Sequence, residues 1–146
     1  MSYITNSEEV SDAIKLLGLD AKQISLEKKS VVFEKVIKKF IKNNKYYYPL
    51  WENMHYSKGI RYQFAWKLFS KMLKGKEVVL FFDFDDDKNM FLFVDGGVLT
   101  DVFANCFRFT FYITNIENTF LLAYNDHDYL IASGEAIRWI EDMELL

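Results

Sequence analysis

The sequence predicts an α+β fold, with N-terminal helices packed on one face of a roughly five-stranded antiparallel sheet and one closing C-terminal helix. Three observations carry this reading. Apolar residues recur at helical spacing from Val10 to Leu73. From Glu77 the pattern changes to period two and to short apolar runs bounded by turn residues. Helical spacing then returns after Ser133. Runs of helices followed by runs of strands define the α+β class, whereas strict alternation would indicate α/β. The 146 residues fit a single domain, 1–146, large enough to bury a core without staples. One proline, Pro49, and six glycines leave no linker-like stretch.

The elements follow in order. Asn6 is the expected N-cap of the first helix, with Glu9 three residues on as in a capping box. Val10, Ile14 and Leu17 share a face, and Gly18 is the stop. A second helix is expected near Ser25. Val32, Phe33, Val36, Ile37, Phe40 and Ile41 form its apolar side, and Lys28, Lys35, Lys38, Lys39 and Lys42 lie largely on the other. Tyr46 to Gly59 reads as an aromatic connector broken by Pro49. A third helix is expected over Ile60–Leu73, with Tyr62, Trp66, Phe69 and Leu73 as its stripe and Gly75 closing it. Strands are expected at Glu77–Phe84, Met90–Asp95, Phe107–Ile113, Thr119–Tyr124 and Asp128–Ala132. A short helix should follow Gly97, and Ser133 should cap the last helix.

Net charge is −3, but it is unevenly distributed. Residues 1–76 carry 15 Lys and Arg against 7 Asp and Glu, whereas residues 77–146 carry 3 against 14. Such asymmetry bears on partners more than on fold. Aromatic residues make up 18% of the chain, a high share expected to serve mainly the core and in part a contact surface. Cys106 is the sole cysteine, so no disulfide forms within the chain. Neither an apolar leader nor a membrane-length apolar run is visible, and the reading is a cytoplasmic protein with no membrane association.

Two acidic clusters are the candidate sites. In Asp83-Phe84-Asp85-Asp86-Asp87-Lys88-Asn89, the spacing of Asp83, Asp85 and Asp87 matches the start of an EF-hand loop. Lys88 stands where that loop needs glycine, and Val94 where it needs glutamate, so the EF-hand is excluded. A looser divalent site needs converging oxygens, and strand alternation would put Asp83 and Asp85 on one face. The simpler reading is a solubilising hairpin loop. Asp126-His127-Asp128 offers a histidine beside carboxylates, suited to acid–base or metal chemistry. Asn125 and the aspartates equally suit a hairpin turn. Cys106 lacks an activating neighbour in sequence, and no phosphate-cradling glycine loop or GxSxG is present. No cofactor is expected.

The segment Phe111–Ile140 resembles the end of a family of small, functionally uncharacterised bacterial α+β proteins. Phe111, Tyr112, Asn125, His127, Asp128 and Gly134 carry the resemblance. It implies no defined reaction or ligand. By analogy of class it points to immunity proteins, which pair with toxins.

The sequence therefore suggests a binding protein: an immunity-type inhibitor of a basic toxin-like domain. Its contact surface would be Asp83, Asp85, Asp86, Asp87, Asp126, His127, Asp128 and Tyr129. The alternatives are a metal-assisted enzyme using the same Asp and His residues, and a nucleic-acid binder using the lysine-rich helix faces. The latter is disfavoured by negative net charge and only three arginines.

Overall fold

A computed structural model describes residues 4–107 and 109–144. Chain order is α1 (Asn6–Leu17), β1 (Ala21–Gln23), α2 (Leu26–Phe40), β2 (Ser57–Arg61), α3 (Phe69–Met72), β3 (Val78–Phe81), β4 (Phe91–Phe93), α4 (Leu99–Ala104), β5 (Phe111–Thr114), β6 (Phe120–Tyr124), β7 (Tyr129–Gly134) and α5 (Ala136–Glu144). The seven strands form one antiparallel sheet in the order β1-β4-β3-β5-β6-β7-β2. The α+β class holds, with a wider sheet than expected. The two extra strands, β1 and β2, are the edges, and neither alternates strongly enough to stand out in sequence.

The helices do not all lie on one face. Val78, Leu80 and Phe82 point into a core shared with α1, α3, α4 and α5. Val79, Phe81 and Tyr112 point the other way, into a core covered by α2 and the connector through Leu50 and Met54. The expectation of a one-sided sheet is therefore corrected. The reason is legible in β3, β5 and β6, whose residues are buried throughout. Strands buried on both faces read as unbroken apolar runs, and such runs require cover on both sides.

Local chemistry explains the helix ends. Thr5, not Asn6, caps α1, its side chain accepting the Glu8 N–H at 3.2 Å. Gly18 takes the left-handed conformation at φ 63° and donates to the Ile14 and Lys15 carbonyls. In α2, Val32, Val36, Ile37 and Phe40 are buried while Lys28, Lys35, Lys38 and Lys39 are exposed, as the periodicity required. The expected third helix is mostly something else. Ser57–Arg61 is edge strand β2 on β7, and only residues 65–72 are helical. Backbone pairing with a distant strand overrode a local helical pattern. Ser133 is likewise not a cap but a residue of β7, its hydroxyl donating to the His55 carbonyl. The expected strand from Phe107 begins only at Phe111; Phe107 is exposed, and Arg108 lies outside the described residues.

Gly134 ends β7 at φ 70°, and a Cβ there would strike the Thr119 carbonyl and crowd Phe120 and the Phe40 ring. Gly134→Ala is expected to cost about 2–4 kcal/mol, read as a lower urea midpoint at unchanged slope.

Candidate functional site

Strands β3 and β6 both pair antiparallel with β5, so they run in the same direction. The loops that follow them, residues 82–90 and 125–128, therefore leave the sheet at the same end. Between them lies the connector that begins with Tyr46, Tyr47 and Tyr48. Its Tyr48–Pro49 peptide is cis. The Tyr48 hydroxyl meets Asp86 at 3.4 Å. Its phenol is held above the ordinary value first by the charge of Asp86, then by burial, and further by Asp83 and Asp126. Trp51 makes a second link, its ring edge-on to His127 with centroids 6.2 Å apart.

The first acidic cluster divides into inward and outward members. β3 ends at Phe81, and residues 83–87 form a tight turn in which Asp86 and Asp87 both donate to the Asp83 carbonyl. Asp83 and Asp85 therefore do not share a strand face, as the less favoured divalent-site reading would need. Asp83 is 1% exposed. One carboxylate oxygen accepts the Leu50 N–H at 2.8 Å and the Tyr46 hydroxyl at 3.3 Å, and the other accepts the Tyr112 hydroxyl at 2.7 Å. The Tyr112 oxygen in turn accepts the Trp51 N–H at 3.1 Å. Burial raises the Asp83 carboxyl above its usual range, against the lowering effect of these bonds. Burial and the Asp83 charge push the Tyr112 phenol far up.

Asp87 is also inward. It accepts the Ser7 N–H at 2.9 Å, and so caps α1 from a distant loop. It also accepts the Asn89 backbone and amide N–H groups. Burial opposes its ionisation, but these bonds together hold its carboxyl below the usual range. Of this cluster's four aspartates, only Asp85 and Asp86 are exposed.

The second cluster is a hairpin turn. Buried Asn125 accepts the His127 and Tyr129 N–H groups at 2.9 and 3.1 Å, and Asp128 takes a left-handed φ of 66°. His127 and Asp126 are both exposed, with Nε2 3.6 Å from the carboxylate. Asp128 accepts the Tyr124 hydroxyl at 3.1 Å on the α1 face. Tyr129 lies with Ile131 and Trp51 on the α2 face. The structure thus sets Asp86 against Tyr48 and His127 against Trp51, with Asp126 beside His127 and Asp85 near Tyr46. Asp83 and Asp87 go to anchoring, and Asp128 and Tyr129 to the flanks.

Among the described residues, no three His, Cys, Asp or Glu side chains are placed to hold a metal ion. Cys106 packs with Trp66, Phe103 and Phe109 on the α1 face, away from His127. Its thiol is pushed up to about 12 by burial, then by Glu9 and Asp12. The lysines split as well. Lys35 and Lys38 project from α2, while Lys67 sits over Phe64 at 4.5 Å on the segment leading into α3 on the opposite side of the sheet. The aromatic connector was visible in sequence, but not that Tyr46, Tyr48, Trp51 and Tyr112 join the two acidic loops. The one available signal was the unusual density of rings around Pro49.

Comparison with protein-family models, curated proteins and solved structures finds no match. Among the described residues, no helix is long and apolar enough to cross a membrane.

Asp83→Ala leaves the Leu50 N–H and the Tyr112 hydroxyl without their acceptor in a dry site. A loss of about 2–4 kcal/mol in urea unfolding is expected. Asp87 behaves differently with pH. Because its carboxyl is lowered on folding, its contribution is present above the ordinary carboxylate range and disappears as pH falls through the folded value. Asp87→Asn should therefore lose stability at neutral pH and show a shallower decline on acidification than wild type. For Cys106, alkylation by iodoacetamide at pH 8 should be at least about a hundredfold slower in the folded than in the urea-unfolded chain, since thiolate is the reacting form.

Proposed function

We propose that the protein is an immunity-type inhibitor that binds a basic toxin-like domain through the acidic, aromatic end of its sheet. The observation that supports this most is that one connector touches both loops: the Tyr48 hydroxyl meets Asp86, and the Trp51 ring lies edge-on to His127. Exposed Tyr47 and Tyr48 add amphipathic area between the carboxylates. Carboxylates on one surface raise the encounter rate with a basic partner, and desolvated rings slow dissociation. The C-terminal resemblance to small bacterial α+β proteins is consistent with this class. The chemistry is that of recognition: the histidine is exposed and only loosely paired, and its turn is held by Asn125.

The contact residues proposed are Asp85, Asp86, Asp126, His127, Tyr47, Tyr48 and Trp51, with Tyr129 at the margin. Asp83 and Asp87 support the surface without touching the partner. A cytoplasmic location and a protein partner belong to the same proposal.

The test is affinity capture on the immobilised protein from native-host lysate, with elution by rising salt and mass spectrometry of the eluate. One stoichiometric basic protein is expected. Its association rate with Asp85→Asn/Asp86→Asn/Asp126→Asn should fall by about ten- to a hundredfold at low salt, with little change in dissociation rate. Capture that is unaffected by the triple change, or no stoichiometric partner at all, would overturn the reading.

A further inference from the structure

A trough lies on the α2 face of the sheet, away from the acidic end's exposed carboxylates. α2 covers β3, β5 and β6, but its packing leaves the outer strands β4 and β1 partly uncovered on this side. The result is an open groove of about 620 Å³ between the flank of α2 and the sheet edge. Its floor and walls are apolar. Ile24 comes from the link between β1 and α2, Leu92 from β4, Val31 and Val32 from α2, and Ile116 from the turn between β5 and β6. Val31 is 50% exposed and Ile116 40%, so the apolar wall stands in water in the protein alone.

The charged groups around this floor are mostly of one sign. Lys22, Lys28 and Lys35 line the groove, against Glu27 alone. Among the described residues none of these three ammonium groups has an ion-pair partner. These lysines belong to the basic part of the chain, residues 1–76, and the trough is where that excess borders an apolar floor. Ligand sites are typically concave and apolar with a few convergent polar groups, and their volumes span the size found here. Flexible ammonium stems can lie along an apolar chain while their heads reach an anion.

We propose that this trough binds a monomeric acyl anion, a fatty-acid-like molecule whose chain lies over Ile24, Leu92 and Val31 and whose carboxylate is held by the lysines. Charge complementarity selects the anionic head, and the apolar floor selects the chain. The proposal is independent of the acidic end and of any protein partner.

The experiment is calorimetric titration of the full chain with dodecanoate kept below its micelle concentration. Saturable one-to-one binding is expected, weakening as salt rises. Lys28→Glu/Lys35→Glu, both exposed, should weaken it by at least about tenfold. Val31→Asp should abolish it, with an unchanged circular dichroism spectrum as the check on folding. Dodecyltrimethylammonium, with the same chain and opposite charge, should bind at least about tenfold more weakly than dodecanoate. The proposal is overturned if no saturable heat appears up to about 1 mM dodecanoate. Equal affinity for the cationic amphiphile, or insensitivity to the lysine changes, would also overturn it. Binding only to phosphatidylglycerol vesicles and not to monomer would replace it with a membrane-surface reading.

Discussion

The buried carboxylate of Asp83 is the constraint on which the sheet's acidic end depends. The connector between α2 and β2 is irregular, and backbone ladder bonds cannot fasten it along its length. Asp83 holds it with two hydrogen bonds, from Leu50 and Tyr46, and accepts a third from Tyr112 of β5, which in turn accepts the Trp51 N–H. An isolated buried carboxylate would be strongly unfavourable, and bonds of this kind offset the desolvation. The raised Asp83 carboxyl shows that burial still outweighs them. Ionised Asp83 is therefore a cost to folding that grows as pH rises through its shifted value, and it falls where the fold needs a fixed point. Its value lies in geometry: without that fixed point Tyr48 and Trp51 would have no defined position between the two acidic loops.

Around this anchor the sheet works as a two-sided scaffold. On the α1 face, Phe103 stacks on Phe111, which stacks in turn on Tyr124. On the α2 face, Phe81 stacks on Tyr112, with Phe33 stacked on Phe84 at the edge. Tyr112 belongs to both systems, as a core ring and as the donor to Asp83. Packing and the polar network are thereby coupled through one side chain. The high aromatic content, which composition alone could only assign in general to core or surface, is largely spent on these two cores. Of the exposed rings, Tyr47, Tyr48 and Tyr56 lie on the connector, and Tyr62, Phe64, Phe107 and Tyr129 lie outside it. The basic trough beside α2 exists for the same reason: one helix and one connector do not cover a seven-stranded sheet.

Much of the fold was legible in the residues. α1, α2, the central strands and the turn at Asn125 follow from periodicity and turn chemistry, because each depends on contacts close in sequence. The edge strands were not legible. Ala21–Gln23 and Ser57–Arg61 are short and half-exposed, and are strands only because β4 and β7 supply partners. The candidate site was legible as two acidic clusters, but not in its sorting. Asp83 and Asp85 look alike in sequence, yet one is sealed under Tyr112 and the other faces water. Asp87 reads as a loop charge and turns out to cap a helix that begins eighty residues earlier, through Ser7. These roles are set by long-range neighbours, which no local pattern encodes.

Hydrogen exchange at the Leu50 and Trp51 amides tests the central role of Asp83 most directly. Both amides end on the Asp83–Tyr112 pair. In Asp83→Asn they should lose protection by at least about tenfold, while amides of β5 and β6 keep theirs relative to global stability. A uniform loss across the sheet, or unchanged protection at Leu50 and Trp51, would contradict the account. In either case Asp83 would not be what holds the connector across the acidic end.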